Sequence, residues 1–185
     1  MVEDVRVISK TENVSLENLH VRYIPMARLE RWYVGIEPML LKNSPHVEML
    51  TLYRYEGLNW DKLMKGRYAE ERRARRKDFG QKKWSEDFIK EHIKHRIKVY
   101  KSMAKAWSPS KDDKPIMILK EPFWNTRFGQ SFDGIVGPEI WNGAGRCAAA
   151  WVLNQRTIPA VWVEDCRPGA KECERITRKF KNANI

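Results

Sequence analysis

Residues 139–165, EIWNGAGRCAAAWVLNQRTIPAVWVED, leave a chain few ways to fold. A short run through Trp141 stops at two glycines that bracket Ala144. An apolar, alanine-rich stretch follows, and Thr157–Asp165 returns to β-branched and aromatic residues. Alanine favours helix, whereas Thr, Ile and Val favour strand. Strand, glycine turn, helix and strand in one short segment predict an α/β chain. The same layout aims backbone N–H groups at an anion, because glycine admits a ligand close to the main chain and a helix N-terminus carries partial positive charge. Arg146 follows at once, and a guanidinium grips phosphate oxygens with a fixed fork. The spacing is neither a Walker sequence nor Gly-x-Gly-x-x-Gly, and it also fits a plain tight turn with Arg146 on the surface.

The flanking sequence supplies the rest of the fold. Residues 1–18 are polar and expected to be loosely held. LHVRYIPM, 19–26, alternates in a strand pattern and ends at Pro25. Residues 27–41 read as a short helix or loop broken by Gly35 and Pro38. Helices are expected over 47–57 and 58–80, the second capped by Asn59 and weakened by Gly66. A stronger helix covers 86–107 behind Ser85, with Ile89, Ile93, Ile97, Tyr100, Ala104 and Trp107 in one stripe and Lys90, Lys94, Lys98 and Lys101 on the other face. PIMILKE predicts a strand, 122–138 a loop or hairpin, and 170–181 a final helix. The expected architecture is one α/β domain over 1–185: a small mixed sheet built from the last third and the N-terminal strand, with a basic helical insertion at about 37–84.

Charge narrows the partners. Lys and Arg total 35 against 24 Asp and Glu, a net +11, and such a field attracts polyanions. The excess concentrates in 62–84, which holds ten basic residues against three acids. Arg67, Arg72, Arg73, Arg75, Arg76, Lys77, Lys82 and Lys83 are expected to hold phosphodiesters, DNA in preference to RNA. Trp124 is expected to stack on a base or sugar. Trp141, Trp151 and Trp162 read as core. Three cysteines with no CxxC, and four histidines away from ligand spacing, argue against a disulfide scaffold and a zinc site. The charged N-terminus and the lack of a long apolar run predict a cytoplasmic protein with no membrane partner.

The segment NGAGRCAAAWVLNQRTIPAVWVED, together with VRYIPMARL and KPIMILKE, resembles the ParB/sulfiredoxin-like family over roughly 19–32 and 85–165. Members carry a strand, a Gly-x-x-Arg turn, an alanine-rich helix and a Thr-Ile-Pro strand. They include partition proteins, DNA nucleases, ATPases, free-serine kinases and sulfiredoxin. The resemblance implies a nucleoside triphosphate, ATP or CTP, with Mg²⁺, at Asn142, Gly143, Ala144, Gly145 and Arg146. Gly143 takes the family glycine and Arg146 the family arginine.

Three departures narrow the activity. Ala144 stands where sulfiredoxin has its cysteine, the histidine of the nuclease-like and kinase-like members is absent, and further arginines of the partition proteins are replaced. Sulfinic-acid reduction and centromere clamping are therefore not expected.

The segment 121–134 is expected to face the same turn because its two flanking strands lie side by side. Arg127 would then clamp a second phosphate, and Glu121 or Asp133 would hold Mg²⁺ or take a proton. Glu30 and Glu37, after the first strand, are the other candidate bases; in kinase-like members an acid in that region has this role. The leading expectation is a nucleotide-binding enzyme acting on nucleic acid by Mg²⁺-dependent phosphoester hydrolysis or phosphoryl transfer. The alternatives are a small-molecule or nucleoside kinase of the same fold, and a non-catalytic DNA-binding or inhibitor protein.

Overall fold

The computed structural model describes residues 5–23, 37–78, 85–109, 115–120 and 138–165. Seven strands run through them: β1 (Val5–Val7), β2 (Glu12–Ser15), β3 (His20–Tyr23), β4 (Glu37–Leu40), β5 (Met117–Leu119), β6 (Glu139–Asn142) and β7 (Thr157–Asp165). The sheet order is β1-β7-β5-β6-β3-β4, with β2 also paired to β7. β3 runs parallel to β6 and β5 parallel to β7, while β1, β2, β4 and the β5–β6 pair are antiparallel to their neighbours. The mixed α/β class expected from the sequence is what forms.

Two expectations for the strands need correction. Residues 5–15 are not loose: Val5–Val7 pairs with Val163–Asp165, and Glu12–Ser15 with Thr157–Ala160. β7 is nine residues long, and an unpaired edge of that length would leave a row of amides without partners. Residues 37–40 are neither helix nor insertion. They form β4, antiparallel to β3 with Val21 opposite Met39. Pro38 is tolerated because β4 lies at the end of the described sheet, the place in a sheet where proline is accommodated.

The helices are α1 (Pro45–Glu56), α2 (Trp60–Lys65), α3 (Arg67–Asp78), α4 (Glu86–Lys105) and α5 (Ala144–Val152). Their starts follow local chemistry. Ser44 Oγ accepts the Val47 N–H at 3.4 Å with Pro45 in the first turn, Asn59 Oδ1 accepts that of Lys62 at 3.2 Å, and Ser85 Oγ that of Phe88 at 3.2 Å. The helix expected over 58–80 is two helices, interrupted at Gly66. In α4, Ile89, Ile93 and Ile97 are buried as their spacing requires, while Trp107 lies beyond the helix and is 44% exposed.

α5 is the centre of the molecule. Cys147, Ala148, Ala149 and Ala150 have no exposure, because α1, α4 and β7 all pack on this one helix. Only small side chains allow such approach. Val47, Leu50, Leu63, Tyr68 and Ala69 share a continuous core with Ile118, Ile140 and Ile158, so the helical segment 45–78 docks on the sheet domain. The opposite sheet face carries a smaller cluster of Leu119, Val161 and Val163. Trp151 and Trp162 are half-buried at the edge of the larger core and Trp141 at that of the smaller.

Candidate functional site

β6 ends at Asn142, and Gly143 turns the chain into α5 with φ +99°, a left-handed conformation that disfavours any side chain. A Cβ there would also stand 2.9 Å from Ile116 Cγ1. Gly143 caps α5 with its backbone alone: its carbonyl accepts the N–H groups of Arg146 at 2.8 Å and Cys147 at 3.0 Å, and no side chain caps the helix. Gly145 is small for a different reason. Arg96 reaches across from α4, and a Cβ on Gly145 would meet its Nη1 at 2.5 Å and its Cδ at 2.9 Å. A guanidinium against a helix N-terminus adds like charge to like, an arrangement that an anion relieves. Arg96 Nε is buried with no hydrogen-bond partner among the described residues.

This turn opens on a cleft of about 780 Å³, walled by Arg72 of α3, by His95, Arg96 and Lys98 of α4, and by Arg146 of α5. Glu139 is the one described carboxylate that lines it. That residue is only 1% exposed, and strand alternation places it on the face of Trp141 rather than that of Ile140. The described lining is therefore cationic.

The predicted site residues distribute unevenly. Asn142, Gly143, Ala144 and Arg146 line the cleft, and Gly145 is buried beneath Arg96. The Arg146 fork points back into the fold: its two terminal nitrogens donate to the carbonyls of Pro109 and Pro115, each at 3.2 Å. It pins both flanks of segment 110–114, and Arg96 is the cation laid across the first turn of α5.

Three described arginines of the basic run also have partners within the chain, Arg67 and Arg73 in pairs at the surface. Arg67 binds Glu48 at 2.5 Å and the Asn43 carbonyl at 2.8 Å. Arg73 forks onto Glu86 with two bonds of 2.7 Å, which hold that carboxyl below the usual range, and donates to the Met64 carbonyl at 2.9 Å. Arg72 lies 3.3 Å from His46 Nε2 and 5.0 Å from the Tyr68 ring centre. α3 packs against α1 and α2, so contiguous arginines necessarily include its inner face. Arg75, Arg76 and Lys77 are on α3, with side chains outside the described set. Glu30, Glu121, Trp124, Arg127, Asp133, Lys82 and Lys83 lie outside the described residues.

Strand direction corrects one expectation about these residues. β5 and β6 are antiparallel with Leu119 opposite Glu139 and Met117 opposite Asn142. The described flanks of 121–137 are thus at the end of the β5–β6 pair remote from Gly143, and adjacency of the strands does not bring this segment to the turn. Glu37 fares better. β3 is parallel to β6, and Tyr23 pairs with Glu37, so the backbone of Glu37 lies at the same sheet end as Gly143.

Two other groups are settled by burial. Burial pushes the Cys147 thiol up to about 12 despite nearby Arg146, so it is protonated at neutral pH and not a nucleophile. Burial, together with Arg72, Arg96 and His95, pushes His92 down to about 4. It hydrogen-bonds through Nδ1 to the Tyr68 hydroxyl at 2.7 Å. No group of three potential metal ligands forms among the described residues.

Arg96 is the residue the sequence reading missed. It stands three positions after Ile93 and seven after Ile89, on the apolar face of an amphipathic helix. A charged residue at an inner-face position was the available signal. No protein-family model, curated protein or solved structure matches this chain. Among the described residues, no helix is long and apolar enough to cross a membrane.

Proposed function

We propose that this chain is a divergent ParB/sulfiredoxin-like protein that binds nucleotide or nucleic-acid phosphate at the N-terminus of α5 and acts on nucleic acid by phosphoester hydrolysis or phosphoryl transfer. One observation carries the reading: the first turn of α5, capped by no side chain, opens on a cleft walled by Arg72, Arg96, Lys98 and Arg146. Backbone N–H groups and guanidinium forks are the two devices by which proteins hold phosphate. In this reading Arg96 binds the ligand, Gly145 gives Arg96 its place, and Arg146 holds the carbonyls of Pro109 and Pro115 behind them. Glu37, at the same sheet end, is the candidate base. The Mg²⁺ that the resemblance implies meets only one described carboxylate in the cleft, so no ligand is assigned to it and no step is routed through it.

The test is ligand-induced thermal stabilisation with nucleoside di- and triphosphates, with and without Mg²⁺. A nucleotide at about 100 times its Kd adds roughly 2.7 kcal/mol of stability. The wild type is expected to shift and Arg96→Ala to lose the shift while keeping the wild-type unfolding midpoint without ligand. Arg96 serves better than Arg146, whose removal would also release the carbonyls of Pro109 and Pro115. Absence of any shift in the wild type would sink the reading.

A second reading, a phosphate-binding protein without turnover, is favoured by the burial of Glu139, which leaves the described cleft without an exposed acid. General acid–base chemistry needs such a group within hydrogen-bonding reach. Binding with no turnover of nucleotide or nucleic acid selects this reading.

A further inference from the structure

We propose that a polynucleotide backbone runs along the lysine face of α4 and reaches the cleft at Lys98. The proposal rests on the cleft being a phosphate site. Lys90, Lys94, Lys98, Lys101 and Lys105 recur at intervals of three and four residues, which aligns them on one side of a helix. α4 has 20 residues and so spans about 30 Å. Lys98, Lys101 and Lys105 are exposed, and the side chains of Lys94 and Lys90 are 53% and 43% accessible.

A merely solubilising face would mix the two signs. From Lys94 to Lys105, α4 has no acidic residue. Lys98 and Lys105 have no hydrogen bond or ion pair among the described residues. Lys94 meets Glu91 at 2.5 Å and Lys90 meets Asp87 at 3.9 Å, both surface pairs of little strength. On α3, Arg72 lies against His46, and Arg67 and Arg73 each meet a carboxylate, Glu48 and Glu86, in pairs that are likewise at the surface. Among the described side chains, Lys98, Lys101 and Lys105 of α4 are exposed cations that form no ion pair.

Two further features fit an elongated ligand. Lys98 belongs both to the stripe and to the cleft wall, so the track and the phosphate site are continuous. Aromatic rings flank the stripe, with Lys94 Nζ 5.9 Å from the centre of the Trp60 ring and Lys101 Nζ 5.6 Å from that of Tyr53. Cationic grooves lined by aromatic faces suit single strands, whose bases stack on such rings.

The experiment measures binding of a labelled single-stranded oligonucleotide and its duplex across a salt series. It compares wild type with a variant in which Lys90, Lys94, Lys101 and Lys105 are Gln, leaving Lys98 and the cleft intact. Each phosphate contact contributes about 0.7 to the slope of log K against log salt on single strands. The variant should therefore lose up to roughly 3 from that slope, and restoring charge with Arg at all four positions should recover it. An unchanged unfolding midpoint in the variant shows that the loss is not one of folding.

A slope unchanged in this variant but lost in R75Q/R76Q/K77Q would place the track on α3 and overturn the proposal. So would a wild type that binds neither oligonucleotide. The mononucleotide thermal shift separates the two readings. If the α4-dependent slope is present with no nucleotide shift, the lysine face binds polynucleotide but the cleft reading, and with it the path into the cleft, falls. If the nucleotide shift is present with no oligonucleotide binding, the cleft reading stands and the track falls.

Discussion

At residue scale, Gly143 and Gly145 are small for different reasons, and the difference predicts different phenotypes. Gly143 is fixed by its positive φ and by Ile116, both properties of the backbone and core. Gly145 is fixed by Arg96, the end of a flexible side chain. In Gly145→Ala the fold can keep its stability, because the guanidinium swings aside at little cost. What it loses is its station over the first turn of α5. Hydrogen bonds to charged groups contribute about 1.5–3 kcal/mol, so nucleotide affinity should fall at least about tenfold, with the unfolding midpoint nearly unchanged. Titration calorimetry of this variant reads the first effect and thermal denaturation the second. A fall in both together would mean that Gly145 serves the fold rather than the site.

At the scale of elements, α5 explains why an alanine run sits beside a phosphate-type turn. Two helices and a strand press on it, and Ala148, Ala149 and Ala150 have no exposure. Enlarging one of them overpacks the interface among α1, α4 and α5. Ala149→Leu is expected to cost about 1–3 kcal/mol, read by urea denaturation. Because Arg96 reaches the site from α4, the same change should also weaken nucleotide binding.

The helices themselves were legible. Asn59 and Ser85 marked two starts, and the isoleucine spacing marked the buried face of α4. β1, β2 and β4 were not legible, since each is a run of three or four residues whose reason for being extended is the strand beside it. The partner of β1 and β2 lies far away in sequence, as with Val5 and Asp165.

At the scale of the whole molecule, α1, α3 and α4 are joined through His46, Tyr68, Arg72 and His92. His46 meets the Tyr68 ring edge-on at 5.0 Å, and Tyr68 holds His92. This cluster makes stability depend on pH. In the unfolded chain His92 takes up its proton near 6.5; in the folded one burial, Arg72, Arg96 and His95 delay this to about 4. The depressed value means that stability is complete above pH 6.5, declines as pH falls toward 4, and gains no further loss from this group below that. Each unit is worth at most 1.36 kcal/mol, and because His92 is only half-buried solvent screening reduces this, so it should account for on the order of 1 kcal/mol between pH 7 and 4.5. Urea denaturation at both pH values, in wild type and His92→Gln, isolates this part. Equal losses in the two proteins would show that His92 is not the group responsible.

The sequence by itself determined the α/β class, the helix starts, the inner face of α4, the glycine turn before α5 and the net positive charge. These are local or additive properties: periodicity, capping, backbone permissiveness and a sum of charges. Tertiary structure decided where each charge points. It set Arg67 and Arg73 against Glu48 and Glu86 and Arg72 against His46, spent the Arg146 fork on two carbonyls, carried Arg96 over Gly145, and put the flanks of 121–137 at the far end of the β5–β6 pair. The partners of a long cation, and the end of a sheet at which a segment leaves, depend on which strands pair and in which direction. Contacts between residues distant in the chain set those choices, and no local pattern records them.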